Sequence, residues 1–425
     1  MSDSPAPIWK IPTGDPLMQR IVELHRWAVR SGLRGVPVPE MLGELCQRLV
    51  AAGVPLCRAF AGMPTLHPQW SGYTYTWRRE RERDAIEPMQ IKRSDAYELD
   101  VRNSPFGPLL QAARRSADTA SALPRLRRRL TGPERCIDYP ILADLAAAGA
   151  TDYVAELVGF GGAGDPSRGT GIGYSFATDR PEGFADNDIV LITAVLPAVS
   201  LAIMSHAQHM IATGLLRAYL GDDAGDRVHA GAVSRGSLES IRAVLWYADM
   251  RGFTAIADVT PGPLLVELLD DTFETLTAAL RPHGGGVLKF LGDGMLAIFP
   301  LAGRTPQETS RRALEAATAA MRGIEALGAA RREAGKPVAA VDLALHLGEV
   351  LYGNVGAVDR LDFTVIGPAV NEVARIETLC EPLGRSVLVS ASFAAAVDDP
   401  GRLEPLGLHA LRGVREARGI YALRL

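Results

Sequence analysis

The chain has 425 residues, of which 47% are hydrophobic and 22% charged, and its formal net charge is −4. That length exceeds the ~100–200 residues of a single domain and predicts at least two, while the apolar content excludes a disordered chain. A net negative chain is no bulk electrostatic binder of nucleic acid, so no such partner is expected.

Four scattered cysteines (Cys46, Cys57, Cys136, Cys380) form no CxxC pair, which argues against a disulfide scaffold or zinc ribbon and fits a reducing compartment. The N-terminal MSDSPAPIWKIPTGDP lacks the apolar core of a secretion signal. The longest apolar run, Ile189 to Met204, is 16 residues and holds Thr, Pro and Ser; a membrane span needs ~20. The expectation is a cytoplasmic protein with no membrane span and a buried or dimer-forming helix at that run. Only Lys10, Lys92, Lys289 and Lys336 are lysines, so a lysine within an apolar strand stands out.

Residues 1–39 read as an N-terminal extension with a short helix from Leu17 to Ala28. A helix from Pro39 leads into the strand-like CRAFAGM and SGYTYTWRR, the second alternating and aromatic. Residues 84–150 read as polar and irregular, with the run PRLRRRL (124–130) as a solvated loop or helix. Then come TDYVAELVGF, a glycine-rich break, IGYSFAT and a helix capped by Asp186, in which Ile192, Leu196, Val199, Ile203 and Met210 recur at helical spacing around Pro197. Strands, glycine hairpin and closing helix predict an antiparallel-sheet α+β domain over 40–205. Gly169-Thr170-Gly171-Ile172-Gly173 lies between two strands, so it reads as a hairpin and not a phosphate loop. No Cys, Asp or Glu stands near His206 and His209 in the sequence, so they read as helix surface. Residues 206–239 read as helix and linker.

From 240 onward the order is strand (IRAVLWYADM), helix starting at Thr260-Pro261, hairpin (VLKF, LGDG, MLAIF), helix 306–332, strand AVDLALHLGEV, a second hairpin to RLDFTVIG, and a helix from Pro368. The β-α-β-β-α-β order predicts a ferredoxin-like α+β domain over 240–425. Leu265, Leu269, Phe273, Leu276 and Leu280 are expected on one face of its first helix.

Asp249 interrupts an apolar strand, and Asp293 sits in the turn of the neighbouring hairpin. Two carboxylates at adjacent strand ends suit divalent cations, although a Gly-Asp-Gly turn also favours Asp for its own geometry. Lys289, flanked by Leu288 and Phe290, shares a face with Val287 and Leu291 by period two; the alternative is a lysine snorkelling off an edge strand. Asn371 and Arg375 project from one helix face and could hold a ribose and an α-phosphate, or else form a solvated face with Glu372 and Glu377.

Three stretches carry more than this: YADMRGFT (247–254), GGGVLKFLGDGMLAIF (284–299) and GEVLYGNVG…RLDFTVIGPAVNEVARIE (348–377). With the ending LHALRGVREARGIYAL they resemble the signature blocks of class III nucleotidyl cyclases over residues 240–425. The resemblance implies a homodimer with sites at the interface. Asp249, Asp293 and the Met250 carbonyl would hold two divalent cations, Mg²⁺ or Mn²⁺, and amides near Phe253 and Thr254 would cradle the polyphosphate. The partner subunit would supply Lys289 and Thr364 to read the purine, Asn371 for the ribose and Arg375 for the α-phosphate. The Lys/Thr pair resembles the adenine-selective class IIIb, so ATP is the expected substrate. A guanylyl cyclase would be expected to carry Glu at 289 and typically Cys at 364. The family's triphosphate-binding lysine has no lysine here, and Arg360, Arg412 or Arg415 could stand in. The stretch 40–205 resembles a GAF-type sensor, notably IGYSFATDRPEGFADNDIVLITAVLPAVSLAI, which implies regulation by an unidentified small-molecule or protein signal. The readings set against an adenylate cyclase are a guanylate cyclase and a non-catalytic nucleotide-binding, dimerising module.

Overall fold

The computed structural model describes residues 14–80, 86–94, 100–115, 124–159 and 171–424, without the side chains of Glu87, Arg114 and Arg115. The glycine-rich break at 160–170 lies outside the described residues. The chain divides into two compact units, Met1–Leu215 and Leu216–Leu425.

In the first unit, α1 (Pro16–Leu33) and α2 (Val38–Ala51) precede β1 (Leu56–Pro64), β2 (Trp70–Arg78) and β3 (Glu87–Lys92). Then follow α3 (Phe106–Arg115), β4 (Arg125–Arg129), α4 (Pro140–Ala147), β5 (Asp152–Gly159), β6 (Gly171–Thr178) and α5 (Asp186–Leu220). The strands form one sheet in the order β3-β2-β1-β6-β5-β4, each neighbouring pair antiparallel. Alternation along β5 splits its apolar side chains between two cores: Val154 and Val158 pack with α1, α2 and α5, while Tyr153, Ala155 and Leu157 pack with α3 and α4.

Three expectations change here. Helix α1 is longer than the Leu17–Ala28 stretch, and it buries Leu24, Trp27 and Ala28 in the same core as α2 and α5, so residues 16–33 are integral to this unit. PRLRRRL is strand β4. Its arginines meet carboxylates: Arg127 and Arg129 converge on Asp152, which is fully buried, while Arg125 pairs with Glu156 and Arg128 with Asp138. Asp152 further accepts the backbone N–H groups of Tyr153 and Phe184, which spreads its charge over enough donors to tolerate burial. At the start of α5, the capping carboxylate is Asp188, not Asp186; it accepts the Ala185 N–H and the Arg180 guanidinium.

Helix α5 is the one helix among the described residues that is long and apolar enough to cross a membrane. Its Ile189, Leu191, Ile192, Val195, Leu196, Val199 and Ile203 are buried in the first unit's core, which is how a core helix uses such a sequence.

The second unit begins inside α5. The predicted linker holds a helix, α6 (Asp222–His229), whose Ala224 is buried. Next come β7 (Leu238–Arg251), α7 (Phe253–Val259), α8 (Gly262–Leu280), β8 (Gly286–Leu291), β9 (Gly294–Pro300), α9 (Pro306–Glu333) and β10 (Ala340–Gly356). The chain ends with β11 (Leu361–Ile366), α10 (Pro368–Glu377), β12 (Val387–Ser390), α11 (Ala391–Val397), β13 (Leu403–His409) and β14 (Arg418–Leu423). The sheet order is β13-β14-β12-β10-β7-β9-β8, with β11 pairing β10. The predicted β-α-β-β-α-β order is present as β7-α8-β8-β9-α9-β10.

Strand β7 shows how the sheet is sandwiched. Val244, Trp246, Ala248 and Met250 face the layer of α8, α9 and α11, and Ala243 and Leu245 face the layer of α6 and α10. Helix α9 starts at a reciprocal cap between Thr305 and Glu308 with Pro306 in its first turn, as that local sequence favours. The most buried stripe of α8 is Leu268, Thr272, Leu276 and Leu280; Leu269 and Phe273 flank it, and Leu265 is only partly covered.

Candidate functional site

The site lies on the α10 face of the second sheet. Because Ala248 and Met250 point to the other layer, alternation sends Tyr247 and Asp249 to this one. Asp249 ends the strand, and Gly252, at φ +68°, turns the chain directly into α7. Phe253 and Thr254 open that helix, where backbone N–H groups have no intrahelical acceptor.

The β8–β9 hairpin brings Asp293 beside Asp249. A Cβ placed on Gly294 would lie 2.7 Å from Asp249 Oδ1, so the carboxylate rests against the bare start of β9. Among the described residues neither the Asp249 nor the Asp293 carboxylate has a hydrogen-bond or ion-pair partner. Burial, with the charges of Asp293 and Asp342 added, pushes the Asp249 pKa up to about 6. Two adjoining carboxylates without a compensating cation, with Asp249 penalised by burial and by its neighbour's charge, are a donor set that fits a hard divalent cation, which would reverse that penalty. The Met250 carbonyl lies next along the strand. No group of three or more His, Cys, Asp or Glu side chains is arranged for a metal among the described residues; the protein's share of such a site is two carboxylates and backbone oxygen.

Sequence reasoning missed two further acids. Asp342 sits directly across from Asp249 in the β7–β10 register and is held by Arg251, whose Nε donates at 2.9 Å. Glu377, at the end of α10, is buried, and burial plus the charges of Asp249, Asp342 and Asp293 push its pKa up to about 7. Asp342 carries the same signal that singled out Asp249, a lone acid inside an apolar strand; Glu377 carries none.

Lys289 is displaced from the expected face. A bulge lies between Val287 and Lys289: Val287 pairs with Ala297, yet Lys289 pairs with Leu296, and Leu288 is the extra residue. Lys289 therefore lies opposite Leu296, whose side chain is on the α10 face, and away from that of Val287. Its ammonium is ion-paired with Asp362 of β11. Thr364 lies two residues further along that strand, on the same side, while Phe363 and Val365 are buried.

Helix α10 carries exposed Asn371 and half-buried Arg375. Glu372 does not pair with Arg375; it faces Arg418 at 3.6 Å and His346 at 3.8 Å. Gly413 lies against Arg375, a Cβ there falling 3.5 Å from a guanidinium nitrogen, so the segment bearing Arg412 adjoins Arg375. Arg360 is exposed in the β10–β11 turn and Arg415 is exposed beyond Arg412. Within one chain, no hydrogen bond or ion pair among the described residues joins Asp249 and Asp293 to Lys289, Asn371 or Arg375.

Residues 239–423 match the family model of the adenylate and guanylate cyclase catalytic domain. Over 177 residues the chain is 30% identical to "Adenylate cyclase 1" of Rhizobium meliloti (strain 1021), covering 41% of this chain and 26% of that one. Over 199 residues it is 28% identical to an adenylate cyclase of Anabaena cylindrica, covering 44% and 38% respectively. The chain thus spans less than two fifths of the length of either relative. The crystal structure of the adenylyl cyclase CyaB from P. aeruginosa aligns with 44% of this chain and 96% of that one, at 23% identity and a TM-score of 0.41. The similarity to the adenylate and guanylate cyclase catalytic domain is thus carried by the C-terminal part of the chain, residues 239–423.

Proposed function

We propose that the protein is an adenylate cyclase, active as a homodimer, converting ATP to 3′,5′-cyclic AMP and pyrophosphate. The observation that carries this reading is the unpartnered pair Asp249 and Asp293 at adjoining strand ends of a cyclase-family domain. The cyclase resemblance implies a site completed by a second copy, and a two-fold axis would create two equivalent sites.

Asp249, Asp293 and the Met250 carbonyl would hold two divalent cations, Mg²⁺ or Mn²⁺, which when bound acidify the ribose 3′-hydroxyl and neutralise the polyphosphate. The 3′-oxygen attacks the α-phosphorus in line, the hydroxyl proton departs, and the bond to pyrophosphate breaks. Amides at Phe253 and Thr254 receive phosphate oxygens. Asn371 orients the ribose, and Arg375 meets charge at the α-phosphate with a planar fork of donors. Arg412, beside Gly413 and hence near Arg375, is the candidate for the missing triphosphate lysine. Lys289 and Thr364 face the purine, which favours ATP over GTP. Most of the protein's contribution is positioning and electrostatics.

The first unit is read as a GAF-like regulatory domain responding to an unidentified signal, and its six-stranded antiparallel sheet with helices on both faces supports that reading. The protein is read as cytoplasmic, with α5 as a core helix.

The test is cyclic-nucleotide production by the purified chain with Mn²⁺, ATP and GTP supplied separately, and Asp293→Ala as control. Cyclic AMP from ATP, abolished in the variant, is the expected result. Cyclic GMP would reassign the substrate. Silence from both the full chain and residues 206–425 would leave a nucleotide-binding module.

A further inference from the structure

We infer that Asp362 is a specificity-determining positioning residue that holds the Lys289 ammonium in line with Thr364, so that three side chains, not two, read the purine. The inference rests on the proposed cyclase reading and deepens it.

The bulge at Leu288 puts Lys289 on the face reached by β11, and the ion pair with Asp362 joins β8 to β11 there. Asp362 and Thr364 are alternate residues of β11, so they share a side of the strand. Phe363, between them, is buried and meets Tyr352 edge-on with ring centroids 4.8 Å apart, which fixes the strand's rotation. The Lys289 and Asp362 side chains are 41% and 49% exposed. An ion pair that open contributes little to stability, so a purely structural clamp is a poor account of it.

Chemistry supplies a better one. A lysine is a flexible stem ending in three donors, and alone it defines no direction. With one donor engaged by Asp362, the others are aimed where a ring-nitrogen acceptor of a purine can meet them. The carboxylate itself accepts only. Beside the Thr364 hydroxyl it favours an exocyclic amino group and opposes a carbonyl oxygen at the same place. A 6-aminopurine satisfies both demands and a 6-oxopurine violates one. Discrimination by leaving a polar group unpaired is the stronger form of selectivity.

The experiment compares wild type, Asp362→Asn, Asp362→Ala, Asp362→Glu, Lys289→Ala and the Lys289→Ala/Asp362→Ala double variant. Initial rates with ATP and GTP are measured in Mn²⁺, and equilibrium binding of both nucleotides by calorimetry. The expected result is that Asp362→Asn and Asp362→Ala raise KM for ATP about tenfold with kcat changed less than about threefold. The ATP/GTP ratio of kcat/KM should fall by about fivefold or more, Asp362→Glu should recover part of it, and the double variant should be no worse than Lys289→Ala. Unchanged KM and ratio, equal losses with both nucleotides, or additive losses in the double variant would overturn the inference. A wild type that binds ATP without cyclising it removes the cyclase reading alone, and the same ratio is then read from the binding constants. A wild type that does neither removes both.

Discussion

A methyl group added at Gly294 separates what the site needs from what the fold needs. In Gly294→Ala the new Cβ would lie 2.7 Å from Asp249 Oδ1, 3.3 Å from the Ala248 carbonyl oxygen and 3.4 Å from Tyr247 Oη. Ordinary contact begins at 3.4 Å, so the carboxylate oxygen must retreat by about 0.7 Å. It is the far end of a rotatable side chain, and it can do so at small energetic cost. Gly294 is not in the left-handed region, and Gly→Ala at a compatible backbone stabilises by about 0.4–1 kcal/mol through the unfolded chain. These terms oppose each other, and Tm is expected to stay within a few degrees of wild type. Catalysis is less forgiving, because a misplacement of ~1 Å costs about 100-fold. We expect kcat/KM for ATP to fall roughly 30- to 100-fold, with a raised Mn²⁺ requirement. Initial rates across a Mn²⁺ titration and scanning calorimetry on one preparation measure both. Wild-type rates at the wild-type Mn²⁺ requirement would refute the reasoning. So would a melting point lowered as far as the activity, since the backbone and not the carboxylate would then have absorbed the methyl.

Arg331, with its side chain only 4% exposed, ties α9 to Asp271 and Glu267 of α8 and donates to the Pro337 carbonyl; Arg331→Ala should cost about 2–4 kcal/mol in urea unfolding, and a loss below ~0.5 kcal/mol would contradict the role. Gly348→Ala would place a Cβ 2.6 Å from the Ala369 Cβ and 2.8 Å from His346 Nε2; the overpacked α10 should shift Asn371 and Arg375, lower kcat at least about tenfold and cost about 1–3 kcal/mol, while unchanged kcat would show the helix position to be unimportant. Asp249 and Glu377 have pKa values raised to about 6 and about 7, chiefly by burial. Their protonated forms favour the fold, so this stability is fully present below the ordinary carboxylate range and is lost as pH rises through about 6 to 7. Without divalent ions Tm should therefore fall between about pH 5 and 7.5, with Mn²⁺ restoring it and Asp249→Asn flattening the slope; a flat profile in the wild type would count against the buried acid cluster.

The C-terminal unit was legible because its signals are local. An aspartate inside an apolar strand, a Gly-Asp-Gly turn and a Thr-Pro helix start each declare themselves within a few residues. Asp342 carried such a signal, yet its meaning depends on the strand register that sets it opposite Asp249, a contact across 93 residues of chain. Glu377 joins the acid cluster only because α10 lies on the sheet, and nothing within the helix announces that. The face of Lys289 was misread because a bulge breaks period two and no residue type in VLKF demands one. The first unit was harder to read for a related reason: the arginines of β4 look like a solvated run until Asp152 and Glu156 are placed beside them by sheet pairing.

The bulge at Leu288 also sets what kind of change this hairpin can tolerate. Substitutions between Gly286 and Lys289 alter one side chain at a time, and the strand can absorb many of them. Deleting a single residue there would restore the plain alternation and rotate the lysine half a turn, toward the apolar layer under α8. Replacing Leu288 is a graded change, whereas removing it is all-or-none. Divergence of this hairpin among related chains should then proceed by exchange of side chains at constant length, with the distance from Gly286 to Asp293 held fixed.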